Sequence, residues 1–248
     1  MISGLYTSEA AMQPMMARME VIANNLANIN STGFKRDRVF IRMLTDSTTA
    51  LAEGAGGELA GVETTKVIDF AEGSLHQTGN PFDLAIQGSG FFVLDTPLGV
   101  RYTRNGNFKL NTEGVLVTGD GYPVMASTGR VQIPRLDKTQ QANIRISEAG
   151  EVTIDKDTFA KIRIVDFDRL DLLKKDEQSM FIADSGEQVI EGPGALTSVR
   201  QGFLEESNVE GINEMIEMIE LHRHFEMNQK AIQAQSTTLE QSNEVGKV

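Results

Sequence analysis

Residues 12–29 read Met-Gln-Pro-Met-Met-Ala-Arg-Met-Glu-Val-Ile-Ala-Asn-Asn-Leu-Ala-Asn-Ile. Counting from Leu5, the apolar residues Met12, Met15, Met19, Ile22, Leu26 and Ile29 step forward by 7, 3, 4, 3, 4 and 3. That arithmetic places them on one narrow face of a helix, the seam that a coiled coil uses. The same arithmetic returns near the other end in Met218, Leu221, Phe225, Ile232 and Leu239. A narrow apolar seam on a terminal helix needs a cover. The candidates are the other terminal helix and neighbouring copies of the chain, so the two ends point to assembly rather than catalysis.

The stretch from about residue 4 to 30 is expected as one long helix. Its end is rich in asparagine, a poor helix former, with Asn24, Asn25, Asn28 and Asn30 offering side-chain amides for contacts. Gly33 is expected to end the helix after Ser31-Thr32. Lys35, Arg36 and Arg38 then form a short basic cluster. Residues 45–65 carry Thr, Ser and Gly (Gly54, Gly56, Gly57 and Gly61) and few bulky groups, which reads as a linker.

Residues 66–205 read as strands. Phe82, Leu84 and Ile86 alternate with Asp83, Ala85 and Gln87. Asn105-Gly106, Glu113-Gly114 and Asp120-Gly121 separate short apolar runs, as in an antiparallel meander with tight turns. Alternation continues at Ile144/Ile146, Val152/Ile154 and Ile162/Ile164. Helix returns near Gly211 and runs to about Val245. The predicted fold class is α+β, with terminal helices pairing as a coiled-coil-like element around a central antiparallel β domain. The boundaries expected are a helical segment 1–35, a linker 36–65, a β domain 66–205 and a C-terminal helix 206–248.

Composition narrows the functions. The chain has 248 residues, 40% of them apolar, with 23 glycines and a net charge of −12. An acidic chain repels phosphate backbones, which disfavours nucleic acid. The charge is uneven. Residues 1–42 hold five basic and three acidic residues, and residues 205–248 hold three basic and nine acidic. Cysteine is absent, which removes disulfides, thiolate catalysis and cysteine metal sites. No apolar run approaches the ~20 residues that span a bilayer. Glu9, Gln13, Arg18 and Glu20 interrupt any secretory h-region, so no cleaved signal peptide is expected.

No residue set carries chemistry. His222 and His224 are two apart on a helix and point to different faces, whereas zinc pairs prefer a spacing of four. His76 stands alone. The cluster Asp166, Asp168 and Asp171 lacks the calcium-loop pattern. Gly88-Ser89-Gly90 lacks the spacing of a nucleophile elbow and reads as a turn between strands. Catalytic, cofactor and metal residues are therefore expected to be none. Met1, Met12, Met15, Met16 and Met19 concentrate at the front, where flexible thioethers suit a surface fitting slightly different neighbours.

Residues 23–28 (Ala-Asn-Asn-Leu-Ala-Asn) followed by 31–36 (Ser-Thr-Gly-Phe-Lys-Arg) resemble the N-terminal signature of bacterial flagellar rod and hook proteins. Gly202-Phe203-Leu204-Glu205 with Ser207-Asn208-Val209 is similar to the start of that family's C-terminal segment, continued by Glu214-Met215-Ile216, Arg223, Phe225-Glu226 and Lys230. Asp83–Ile86, Gly90–Phe92, Tyr102–Gly106 and Leu116–Thr118 resemble its β domain. The run 223–227 and the length look more like the proximal-rod type than the distal-rod type. The distal type is also resembled through Tyr102–Gly106.

The resemblance implies an axial structural subunit of the flagellum with no enzyme activity, exported uncleaved by the flagellum's own type III route. It implies partners among its own copies, related rod proteins and the export apparatus, and a place in the periplasm-spanning rod of the basal body. No small-molecule substrate, cofactor or nucleic acid is implied. The residues expected at the assembly interface are the two seams together with Asn24, Asn25 and Asn28. Two rival readings stand beside this: a periplasmic glycan hydrolase, which needs a carboxylate pair in a cleft, and a monomeric binding module whose helices close on themselves.

Overall fold

The computed structural model describes residues 2–45, 59–133, 144–154, 157–176, 179–183, 189–191 and 197–245. The chain divides into two units: residues 1–27, 37–69 and 210–248 form the first, and residues 28–36 and 70–209 the second.

Among the described residues the first unit has four elements. Helix α1 spans Ile2–Ala27, strand β1 Asp37–Thr45, strand β2 Leu59–Ile68 and helix α2 Gly211–Val245. The two helices expected from the seams are present, although α1 ends at Ala27, short of the expected position near 30. α1 packs against α2 and against the ribbon that β1 and β2 form. The ribbon departs from the linker expected at 36–65. β1 and β2 pair antiparallel in continuous register from Asp37↔Ile68 to Leu44↔Gly61, with an irregularity between Leu44 and Thr45. Val39, Phe40 and Ile41 face Thr64, Thr65 and Lys66 across the pair, and β-branched and aromatic residues suit such a pleated surface. The glycine- and threonine-rich composition of 45–61 masked this pairing, because its two strands lie on either side of it.

The second unit is antiparallel β. Its largest sheet has six strands in the order Leu173–Lys175, Met180–Ala183, Gly99–Thr103, Phe91–Thr96, Ile164–Phe167 and Val189–Glu191. Phe91–Thr96 is buried on both sides, and its alternation sends the two halves of its side chains to different cores. Phe92 and Leu94 join a cluster with Leu84, Ile86, Phe108 and Leu116. On the other side Phe91 meets Phe70, Phe167 and Phe181 with ring centroids 5.6 Å apart in each case, edge to face.

Two of the three predicted turns hold. Phe108–Leu110 pairs with Leu116–Thr118 around Gly114, whose φ is +79°. Asp120-Gly121 closes a turn in which Thr118 N–H donates to the Tyr122 carbonyl. Asn105-Gly106 is not a hairpin turn. Gly99–Thr103 pairs with Phe91–Thr96 and Met180–Ala183 instead of with Phe108–Leu110. Gly106 is glycine for another reason: a Cβ there would overlap the Leu84 carbonyl oxygen, and the Gly106 carbonyl accepts from Leu84 N–H at 3.0 Å. The half-buried alternation expected at 82–87 also gives way, since Asp83, Leu84, Ala85 and Ile86 are all buried. Leu84–Gln87 is covered on both faces up to Ile86 and pairs with Ser198–Gln201.

Phe92 is fully buried and packs edge to face on Phe108 at 5.2 Å. Phe92→Ala is expected to cost about 3–5 kcal/mol, read as a lower urea midpoint with an unchanged slope.

Candidate functional site

The site of most consequence in the second unit is built from the two signature stretches, 31–36 and 202–208. Lys35 and Glu205 are buried, their side chains 0% and 1% exposed, and their charged atoms lie 2.5 Å apart. The Lys35 ammonium also donates to the Ala71 carbonyl at 2.7 Å, and Glu205 Oε1 accepts from Gly73 N–H at 3.0 Å. Arg104 stands on the other side of the carboxylate, 3.5 Å from Oε2, and donates to the Gly88 carbonyl at 2.8 Å. Its guanidinium lies over the Phe91 ring at 5.1 Å, which joins the charges to the aromatic cluster. Burial pushes both Lys35 and Arg104 below their ordinary basicity, and the facing Glu205 carboxylate opposes that push.

The backbone of the first signature is held as closely as its lysine. Gly33 N–H donates to the Glu205 carbonyl at 2.7 Å, and Arg36 N–H to Asn208 Oδ1 at 2.7 Å. Asn208 also donates from its amide to the Ala71 carbonyl at 3.0 Å. Thr32 Oγ1 donates to Asn105 Oδ1 at 2.8 Å. Gly33 has a φ of +66°, and a Cβ on it would collide with the backbone of Arg104 and Asn105. It was expected as the end of the first helix. It serves instead as the point where 28–36 lies flat against the rest of the second unit. Phe34 is buried beneath the Lys175 ammonium, 3.8 Å from its ring centre.

Lys35 therefore does not belong to an exposed basic cluster with Arg36 and Arg38. Sequence reasoning missed the Lys35–Glu205–Arg104 group altogether. The one available signal was a glutamate closing the apolar run Phe203-Leu204-Glu205, where a charged residue ends up buried only when paired.

In the first unit α1 packs on α2. Ile22 and Leu221 are buried there, and the Asn228 amide reaches Met15 Sδ at 3.4 Å. Arg18 and Glu217 form an ion pair across the helices. Met12, Met15, Met19, Leu26, Met218, Phe225 and Ile232 are only half-buried. Ile29, half-buried, falls in the second unit, and the side chains of Leu5 and Leu239 lie outside the described residues. The asparagines separate. Asn25 is buried, exchanges two 2.9 Å hydrogen bonds with the Asp37 backbone and donates to Glu214 at 3.3 Å. Asn24 is exposed, and Asn28 accepts from Ser31 in a local turn. Asn25 thus fixes the start of β1 to α1 and to the first turns of α2.

Among the described residues no group of three or more His, Asp or Glu is placed to hold a metal ion, and no helix is long and apolar enough to cross a membrane. His222 lies 3.4 Å from Glu226 on an exposed helix face. Ser89 Oγ donates to Asp166 at 2.5 Å in an exposed turn. The features that organise both units are packing and anchoring.

Three family models match the chain in order: a flagella basal body rod protein model at residues 5–35, a flagellar hook protein FlgE/F/G D1 domain model at 85–154, and a flagellar basal body rod FlgEFG C-terminal model at 200–245. The flagellar basal-body rod protein FlgG of Bacillus subtilis is 33% identical over 97% of this chain and 98% of its own length. FlgF of Caulobacter vibrioides is 32% identical over 91% of this chain and 90% of its own length. FlgG of Borreliella burgdorferi is 32% identical, with 96% and 97% covered. The fold and the two joined signatures define a structural protein, and the chain belongs to the flagellar basal-body rod protein family. Its role is that of a structural subunit of the rod.

Breaking a buried ion pair leaves an uncompensated charge, at about 3–5 kcal/mol. Lys35→Met is expected to destabilise on that scale. Glu205→Leu is expected to cost more, because it strands both Lys35 and Arg104. Urea unfolding of the two variants against the parent chain checks the order.

Proposed function

We propose that this chain is an axial subunit that assembles helically with its own copies and related rod proteins through its terminal helices, forming the shaft that carries torque from motor to hook. The observation that carries the reading is the incomplete cover of the seam. α1 and α2 pack on one another, yet among the described side chains of the seam only Ile22 and Leu221 are buried, and Met12, Met15, Met19, Leu26, Met218, Phe225 and Ile232 keep part of their surface in water. The coiled-coil spacing then has apolar area left to bury against neighbours, at roughly 25 cal/mol per Å2. Repetition along a lattice multiplies a small gain per subunit. The seam residues, with Asn24 and Asn28 beside them, are the proposed interface, and Asn25 braces it from within.

The chain acts without a cofactor and is not an enzyme in this reading. It reaches the basal body by the flagellar export route without a cleaved signal, and its place is the periplasm-spanning rod. The run Arg223-His224-Phe225-Glu226-Met227 favours the proximal rod. The distal rod is the second reading, favoured by the near-complete overlap in length with FlgG of Bacillus subtilis.

Leu26→Asp and Phe225→Asp are each expected to abolish incorporation into purified basal bodies. The unfolding midpoint of the second unit should stay unchanged. Normal incorporation of either variant would overturn the seam assignment.

A further inference from the structure

One short stretch, 198–208, holds three separate parts of the second unit together. Its two strands are, among the described residues, the sole strand partners of two much earlier ones. Ser198–Gln201 pairs with Leu84–Gln87, and Phe203–Glu205 pairs with Leu75–Gln77. Between them Gly202 has a φ of +79°. Its carbonyl accepts from Thr78 and Gly79 N–H at 2.9 and 3.1 Å, and its N–H donates to the Asp83 carbonyl at 2.8 Å. The Gln201 side chain reaches a second region. Its amide donates to the Ile144 carbonyl at 3.1 Å, and its Oε1 accepts from Ile146 N–H at 3.1 Å. Glu205 and Asn208 hold the third region, 33–36.

Without this stretch the rest of the unit is not a smaller complete fold. Val199 is buried in the same cluster as Leu84, Ile86, Phe92 and Phe108. Leu84–Gln87 would lose its ladder, and buried backbone groups left unpaired are costly. Lys35 and Arg104 would remain as two buried cations without the carboxylate between them. Native stability is marginal, so one uncompensated buried charge is a large fraction of the whole. The stretch also follows every other strand of the unit, and its closure on Lys35 spans 170 residues. Pairing over such a separation comes slowly, because loop-closure entropy must be lost before the contact rewards it.

We propose that 198–208 is a folding clasp. The second unit does not form until this stretch has joined, so a chain delivered from its N-terminus stays unfolded until residue 208 has emerged. The clasp rests on the geometry of the second unit alone. Its use rests on the export reading above: a subunit that travels to its lattice defers compaction to the end of the passage.

Pulse-labelling hydrogen exchange of the full-length chain tests the order. The chain is unfolded in urea, diluted to refold and labelled after increasing delays, with protection read by mass spectrometry of its peptides. Phe91–Thr96 and Ile164–Phe167, neighbours in the six-stranded sheet, are expected to gain protection at the same rate as 198–206. Glu205→Gln removes the charge with little change of shape. It should slow both regions together, roughly tenfold, and lower the native-state protection of both roughly a hundredfold. Val199→Ala, which keeps every charge, should slow both together by a smaller factor. If the Gln variant does not refold, the parent chain and Val199→Ala decide the order.

Protection of Phe91–Thr96 ahead of 198–206 overturns the clasp, because the β core then forms without it. An unchanged refolding rate in both variants overturns it too. So does a loss of protection in Glu205→Gln confined to 198–208 and the segments it touches. None of these results bears on the export reading. That reading fails on a different observation, the loss of a signal-length N-terminal segment from chain recovered in purified basal bodies.

Discussion

A lysine ammonium sealed from water beside a glutamate is the constraint on which the second unit depends. Lys35 and Glu205 lie 170 residues apart in sequence and 2.5 Å apart in space. Neither charge is stable in that setting without the other, since the cost of stripping water from an isolated buried ion is several kcal/mol. The pair therefore operates as a lock: the segment after the first helix and the segment before the second must be in place together. Arg104 tightens it from a third part of the chain and carries it onto Phe91, in the strand buried on both faces. A hydrophobic pair of the same volume could hold as firmly. The ion pair adds a demand for register, because a one-residue slip would bury an unpaired charge.

The first unit uses a neutral version of the same device. The Asn25 amide imitates a backbone partner for Asp37 and touches Glu214, so a single buried side chain joins α1, β1 and α2. Apolar packing around it is modest. The helices meet along a seam that they do not close, and α2 shows a second apolar stripe on its far side. Helices with such narrow contacts draw their stability from partners rather than from propensity. The β unit holds a continuous buried cluster, whereas the helical unit leaves large apolar side chains such as Ile212, Ile216 and Ile219 in water.

The sequence was legible wherever a local rule decides the outcome. Seven-residue spacing placed α1 and α2, because side-chain direction on a helix depends on little beyond the count of residues. Glu113-Gly114 and Asp120-Gly121 were read correctly as turns, since positive φ at Gly114 and Gly121 is a property of the residue itself. Asn105-Gly106 carries the same signal and fails. There the glycine answers to the Leu84 carbonyl, a neighbour about twenty residues back. The ribbon at Asp37–Ile68 was hidden for a similar reason, its strands being separated by a stretch with linker composition.

What the sequence alone determined is the division of labour: helical, seam-bearing ends, an antiparallel β middle, and two signatures that resemble the rod family. What only the tertiary structure decided is how the signatures meet and which apolar faces remain open. A run of basic residues at 35–38 looks solvated until the fold brings Glu205 and Arg104 to its first member. An isoleucine on α2 looks like core until α1 covers the opposite side. Periodicity reports that a face is apolar, because that follows from spacing along one helix. What covers the face depends on residues far away in sequence, and so it appears only when the chain has closed on itself.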